Sequence, residues 1–436
     1  MTETVSRRRI LALAVPALGS LAADPVLSLV DTAFVGRLGA RPLAALGVDA
    51  AIFGFAFALF NFLAYATTPL VAQARGRGQI AESGRIVQRA LVLSVAIGAA
   101  STAVMVIGAR FLVGVMGAGP DFADDAVTYL SIRAFALPAL LIITAANGAY
   151  RGFQDTRTPL LVTVAINGLN IALDPLFMFD FGFGLGLAGA AWATVIAQWI
   201  GAAVFGLLLL RIARRESWPT ARIEAGELRA FLGIGSVLIL RTALLVLSLS
   251  VATSVAARIG TLDVAAHQVV VQIWFFLAMV IDALAIAAQA LVAELAGRGD
   301  DAGARALSTQ LLRWGGVVGI ALTAGLLAVG SIVSTGFTDD PGISARIVVV
   351  IPIAAGMQPL AALVFVLDGV FLAVLAIRKL VWSTFAGFVA TVSVLGLTLV
   401  NEWGLEGVWW AITAMVVARL AVLAGFYRSA STWSSS

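Results

Sequence analysis

DVAAHQVVVQIWFFLAMVIDALAIAAQALVAELA, residues 263–296, decides how the rest of this chain is read. Between Asp263 and Asp282 no Asp, Glu, Lys or Arg interrupts the run, and a helix needs about 20 mostly apolar residues to cross the hydrocarbon core of a bilayer. The stretch is too long and too evenly apolar for a barrel strand, whereas a helix satisfies its own backbone polar groups inside lipid. Working outward, charge and turn punctuation gives eleven further spans: 10–35, 43–73, 86–113, 126–150, 158–180, 186–210, 230–258, 306–333, 343–377, 380–401 and 404–427. Several exceed the minimum, which implies tilt or extension beyond the membrane.

Composition agrees. Of 436 residues 61% are hydrophobic and 12% charged, against about 45–50% and 25% in soluble domains. A water-soluble enzyme, a disordered chain and a nucleic-acid binder are excluded. The net charge of +4 comes from basic residues that are all arginine save Lys379, and most of them flank spans. Cysteine is absent and His267 is the one histidine, which removes disulfides, thiolate chemistry and most histidine metal sites.

Those arginines orient the chain. Arg7, Arg8, Arg9, Arg75, Arg77, Arg85, Arg89, Arg151, Arg157, Arg211, Arg214, Arg215, Arg222, Arg229, Arg298, Arg305, Arg313, Arg378, Lys379 and Arg428 share one side, while Arg37, Arg41, Arg110, Arg258 and Arg346 take the other. Arg133, Arg241 and Arg419 lie within spans. The positive-inside rule places both termini in the cytoplasm. The opposite-side intervals instead carry Asp121, Asp124, Asp125, Asp339 and Asp340. Ser20-Leu21-Ala22 after three arginines has the outline of a signal-peptide cleavage site, but cutting there would halve a span, so the arginines read as an inside anchor.

The halves repeat at an offset of 221. Arg37, Gly39, Ala44 and Ala45 recur as Arg258, Gly260, Ala265 and Ala266; Gly76-Arg77-Gly78 recurs as Gly297-Arg298-Gly299; Pro138 recurs as Pro359 and Gly148 as Gly369. Late in each half the offset slips to 218, matching Leu187, Gly189 and Trp192 to Leu405, Gly407 and Trp410. Six spans per half make the copies parallel, one of the two repeat plans of secondary transporters. The predicted fold is all-α: twelve transmembrane helices as two parallel-repeat six-helix lobes, 1–215 and 216–436, around a central cavity. A duplicated bundle serving as channel or scaffold is the plainer alternative.

Ionisable groups inside a span cost about 2.5–3.5 kcal/mol each on insertion scales, so each is a functional candidate. The in-span acids are Asp24, Asp31, Asp49, Asp174, Asp282 and Asp368, with Glu294 nearer a span end. Asp31 and Asp174 both sit about 8–9 Å below the outer ends of spans 1 and 5, at 1.5 Å per residue. Asn167, Asn170 and Asp174 share one helical face. Two carboxyls at one depth with amides beneath make a proton site, because desolvation and like charge both favour a protonated carboxyl. Protonation would rearrange local hydrogen bonds and bend span 1 at Pro16 or Pro25. The alternative is that Asp31 and Asp174 are permanently held by neighbours such as Arg133. In the second half Arg241, Asp282 and Asp368 are candidates for a charge cluster whose repeat mates are Ser20, Asn61 and Asn147, either as a structural ion pair or in coupling. His267 reads as a satisfied interfacial histidine before a pH sensor. Phe53, Phe55, Phe57, Phe60, Phe62 and Tyr65 line span 2 and suit lipid contact or an apolar cavity.

Several motifs together resemble one family. Val30-Asp31-Thr32-Ala33 with Gly36, Asn170 and Asp174 before Pro175, Ser254 through Gly260 leading to Ala265-Ala266-His267-Gln268, Asp282-Ala283-Leu284-Ala285, and Leu367-Asp368-Gly369-Val370-Phe371 are similar to the multidrug and toxic compound extrusion (MATE) transporters, in their DinF-like branch. The resemblance implies two six-helix lobes, alternating access and cation-driven export. On its pattern Asp31 is the first-helix acid of proton coupling, Asn170 and Asp174 its span-5 neighbours, and Asn147 a member of the same polar pocket, with Asn167 and Asp24 close by. The acid that some relatives use on span 7 for sodium is missing, and Arg241 is the charge there, which favours protons.

The leading expectation is a proton-coupled antiporter of amphipathic, cationic small organic compounds, and not an enzyme. It would use no cofactor and bind neither metal nor nucleic acid. It would work as a monomer in the plasma (inner) membrane. Sodium coupling, organic-acid export and a lipid-linked precursor flippase remain open, the last disfavoured by having three in-span basic residues.

Overall fold

Twelve runs of apolar residues separated by charged or glycine-containing turns can satisfy their backbones in lipid only as helices, and that is how the chain folds. The computed structural model describes residues 6–219, 224–338 and 340–429; Arg222 and Asp339 lie outside the described residues. Among these the helices are α1 (Arg7–Gly36), α2 (Ala40–Phe60), α3 (Phe62–Gly76), α4 (Ile80–Val115), α5 (Ala123–Arg133), α6 (Leu137–Gly152), α7 (Arg157–Met178), α8 (Gly186–Arg215), α9 (Ala225–Ile259), α10 (Thr261–Gly297), α11 (Asp301–Phe337), α12 (Pro341–Gly356), α13 (Gln358–Ala373), α14 (Ile377–Val400) and α15 (Gly404–Arg428). Eleven spans are long and apolar enough to cross a membrane, α2–α3 and α5–α6 each counting as one; α12–α13, bent by 48° at Met357, makes the twelfth. α1 runs unbroken through Pro16 and Pro25.

The repeat governs element bounds as well as residues. Ala40–Gly76 returns as Thr261–Gly297 and Leu137–Gly152 as Gln358–Ala373, both at 221; Gly186, which opens α8, returns as Gly404 at 218. Each copy places a proline near the start of a helix in the middle of its fourth span. Proline lacks an N–H and clashes with the carbonyl four residues earlier, so the carbonyls of Ala134 and Ala355 are released. A hydroxyl from a neighbouring helix takes each of them: Thr102 Oγ1 donates to Ala134 O at 2.8 Å, and Thr323 Oγ1 to Ala355 O at 2.7 Å. One turn before each threonine stands a glycine. A Cβ at Gly98 would lie 2.4 Å from Pro138 Cα, and one at Gly319 2.5 Å from Pro359 Cα, so only glycine admits the approach. Small residues at such crossings replace the hydrophobic drive that lipid cannot supply.

The chain divides into two compact units, Val15–Gly235 and Met1–Ala14 with Ser236–Ser436. In the first, α3, α4 and α6 pack together, α7 and α8 form a hairpin, and α5 joins α2, α4 and α8. The opening turns of α9 belong here: Gly235 lies against the Phe62 ring and Glu227 pairs with Arg89. In the second, α10, α11 and α13 pack together, α14 and α15 form the hairpin, and α12 joins α10, α11 and α15. It takes in the start of α1, where Arg9 meets Glu294 at 2.9 Å. Glu294, which also pairs with Arg298, is thus an ion-paired residue at a span end.

Candidate functional site

In the first unit α1 and α7 touch through polar residues at a constant sequence separation of 143. Ser20 Oγ lies 3.5 Å from Thr163 Oγ1, and Asn167 Nδ2 donates to Asp24 Oδ1 at 3.4 Å. Two turns on, the carboxyls of Asp31 and Asp174 come together closely enough to interact. A constant separation means that the two helices run in the same direction, and rungs at steps of four and seven keep to one face of each. The result is a polar seam ending in a carboxyl pair.

Asp174 and Asn170 are each 1% exposed, and Asn170 Nδ2 donates to Asp174 Oδ1 at 3.3 Å. Asp31 Oδ1, Asp174 Oδ2 and Asn170 Oδ1 are buried and accept no hydrogen bond. An unmade bond at a buried polar atom costs about 1–3 kcal/mol, more when the group is charged. The site therefore has unused ligating capacity for a proton or a small cation.

Arg133 supplies the local positive charge. It ends α5, directly before the 3-10 turn Ala134–Ala136 that the Pro138 kink creates. Its guanidinium carbon lies 4.9 Å from the centre of the Phe53 ring, Tyr129 stands one turn back on α5, and Asp31, Asp49 and Asp174 are all within its electrostatic reach. Yet among the described residues it closes no salt bridge with any of the three. A permanent Arg133 clamp on Asp31 and Asp174 is not what the chain builds. Asp49, on α2, is 0% exposed and both of its carboxyl oxygens are without a partner.

The other candidates fall elsewhere. Asn147 follows Arg133 by fourteen residues, about 20 Å along the α5–α6 span. It sits beside Gly148, whose backbone packs on Ala64 and whose carbonyl accepts from Thr68 Oγ1 at 3.0 Å. Asn147 itself is half-buried, and its Oδ1 accepts no hydrogen bond. In the second unit Asp368 is gripped from two sides: Arg241 Nη2 donates to Oδ2 at 2.5 Å, and Arg419 Nη2 to Oδ1 and Oδ2 at 2.9 and 2.6 Å. All three are buried, at 7%, 7% and 4% exposure for Asp368, Arg241 and Arg419. Asp282 is half-buried on α10, a turn before Ala285, which packs on Gly369 beside Asp368. His267 is buried, with Nε2 3.1 Å from Thr253 Oγ1 and its ring tilted against Trp409.

Sequence reasoning missed two members of these clusters. Asp49 was visible as an in-span acid, and its spacing of four from Phe53 matches the spacing of Tyr129 from Arg133, so each pair shares a helix face. Arg419 was visible as an in-span base. Its mate at 218 is Gly201, so the repeat offered no polar counterpart to mark it.

Comparison with known proteins agrees with this architecture. The MatE family profile matches residues 16–176 and 238–396, bracketing both copies of the repeat. Protein DETOXIFICATION 44, chloroplastic, of Arabidopsis thaliana is 36% identical over 432 residues, covering 96% of this chain and 81% of its own. DNA damage-inducible protein F of Escherichia coli is 28% identical over 440 residues, covering 98% and 93%. A MOP superfamily transporter from Pyrococcus furiosus has the same fold, with a TM-score of 0.87 at 21% identity over 96% of this chain and 94% of that one. From the matched repeat and these full-length relatives, the chain belongs to the MatE family of multidrug and toxic compound extrusion transporters, membrane carriers and not enzymes.

Proposed function

We propose that the protein is a proton-coupled antiporter exporting amphipathic, cationic organic compounds by alternating access, with Asp31 and Asp174 as the coupling pair. One observation carries this: two in-span carboxyls meet at the end of the α1–α7 seam, each with a buried oxygen that nothing satisfies. A carboxyl–carboxyl hydrogen bond needs a proton on one partner, so gain and loss of that proton makes or breaks the link between two helices. Asn170 holds Asp174 in place, and Asn167 with Asp24 continues the seam inward. A gradient of one pH unit is worth about 1.4 kcal/mol and 100 mV about 2.3 kcal/mol per charge, enough to bias exchange. On the distribution of basic residues both termini face the cytoplasm of a plasma-membrane monomer.

The test is ethidium exchange in vesicles reconstituted with the full chain, with proton and sodium gradients imposed independently. Exchange driven by the proton gradient alone, and lost in folded Asp31→Asn and Asp174→Asn proteins, supports the assignment. Exchange that follows only sodium replaces the coupling ion, and normal exchange in both variants removes the pair from the mechanism. A panel of organic acids in the same vesicles tests the substrate class. Introduced cysteines, in a chain that has none, report sidedness by labelling with an impermeant thiol reagent.

A further inference from the structure

A carboxyl with no exposure and no hydrogen bond is the least expected group in a protein interior, and Asp49 is one. It is not abandoned to lipid. Arg133 lies within its electrostatic reach, seated over Phe53 one turn further along the same helix. Tyr129 stands among Arg133, Asp31 and Asp49. The same guanidinium faces Asp31 and Asp174 without closing a salt bridge to either. One cation is thus poised among three carboxyls on three different helices, α1, α2 and α7. At the outer helix ends Arg41 pairs with Asp125 at 2.7 Å and Arg110 with Asp124 at 2.7 Å.

We propose that Asp49 is the third carboxyl of this site and that Arg133 is its moving counter-ion, pairing with Asp49 when the Asp31–Asp174 pair takes up a cation and returning when the pair gives it up. This rests on the coupling role given to Asp31 and Asp174. Arrival of a proton removes one negative charge from the pair. The guanidinium then swings to Asp49, which stands one turn before Phe53 on α2 and gives up its own proton as the pair forms, so the local charge stays near balance. Phe53 supplies a face over which the planar guanidinium pivots without full desolvation. Loading of the α1–α7 seam is thereby transmitted to α2 and α5. An isolated carboxylate in a dry interior costs several kcal/mol, so Asp49 is ionised only with the guanidinium beside it.

The test is pH-difference infrared spectroscopy of the purified full-length chain in lipid nanodiscs, reading protonated carboxyl bands. Asp49→Asn is expected to delete one buried-carboxyl component. It should also move the midpoint of the Asp31–Asp174 component to lower pH by about one unit, since Arg133 is then left with that pair alone and an opposite charge favours the ionised form. In the Arg133→Gln background the same Asp49→Asn change is expected to leave the midpoint where Arg133→Gln alone puts it, because the coupling runs through the arginine. An unchanged midpoint in Asp49→Asn overturns the proposal, as does an acid shift that persists without Arg133. If Arg133→Gln does not fold, the single Asp49→Asn midpoint still decides. Failure of the coupling reading is separate: it shows as normal ethidium exchange in Asp31→Asn, whatever the infrared midpoints do.

Discussion

The two units share their packing and not their charges. Gly98 and Thr102 against Pro138, and Gly148 against Ala64, reappear as Gly319 and Thr323 against Pro359, and Gly369 against Ala285. The residues that carry charge inside the spans have no such mates: Asp31, Asp49, Arg133 and Asp174 correspond to Ala252, Val270, Ala354 and Leu395, while Arg241, Asp282 and Asp368 correspond to Ser20, Asn61 and Asn147. Even volume has been traded. In the first unit Ile166 of α7 fills the space left by Gly201 of α8; in the second Gly387 of α14 leaves room for Arg419 of α15. The helix crossings were fixed once and copied, whereas each copy acquired its own ionisable cluster. The clusters also differ in kind. In the second unit one acid is saturated by two arginines; in the first, three acids surround one arginine that grips none of them. Saturated charge suits a structural strut, and unsaturated charge suits a group that changes partners.

That contrast has its largest consequence at Asp368 and Asp49. Asp368→Asn takes from Arg241 and Arg419 the carboxylate that they share, so stability is expected to fall by about 3–5 kcal/mol, the usual cost of breaking a buried ion pair. Asp49→Asn removes a carboxyl that has no partner and is expected to leave the thermal unfolding midpoint in detergent unchanged or higher. Equal losses in the two variants would erase the distinction between strut and switch.

Packing, being duplicated, should respond in duplicate. Gly98→Ala and Gly319→Ala each drive a Cβ to within 2.4 and 2.5 Å of a proline Cα, a clash of backbone that no rotamer relieves. Each is expected to cost about 3 kcal/mol, at the upper end for overpacking, and the two should match within about 1 kcal/mol. Thr102→Val and Thr323→Val sharpen the point at smaller scale, each losing a hydroxyl bond to a carbonyl freed by proline. About 1 kcal/mol is expected from each, read as parallel drops in unfolding midpoint. A loss in one copy only would mean that the halves no longer share a packing plan.

The duplication explains what could be read in advance. Spans, orientation signals and the 221 offset are local or periodic, and they survive in a one-dimensional string; so does the face shared by Asn167, Asn170 and Asp174. The 143 separation between α1 and α7 is equally periodic, but it acquires meaning only once the two helices are known to be parallel neighbours. The resemblance implies Asn147 in the same polar pocket, a placement that no local or periodic signal in the string carries. The break at Asn61 carries no proline or glycine of its own, and Arg419 is masked because its repeat mate is a glycine.

The gentlest perturbation exploits a pair whose polarity is reversed between the copies. Arg41 on α2 meets Asp125 on α5 at 2.7 Å, and Asp263 on α10 meets Arg346 on α12 at 2.9 Å. Asp125 and Arg346 are repeat mates, and Asp263 lies one residue beyond the mate of Arg41. The same helix ends are therefore tied by either order of charges. Arg41 and Asp125 are 60% and 37% exposed in their side chains, and ion pairs so placed are worth about 0–1 kcal/mol. Arg41→Asp alone sets two aspartates face to face and should lower the unfolding midpoint slightly, more at low salt than at high, since screening weakens repulsion. Arg41→Asp with Asp125→Arg restores opposite charges in the order that α10 and α12 already use, and should return the midpoint to that of the parent. Failure of the double variant to recover would show that the first unit needs one particular polarity at this end, and that the exchangeability of charge on a shared scaffold stops short of its outer surface.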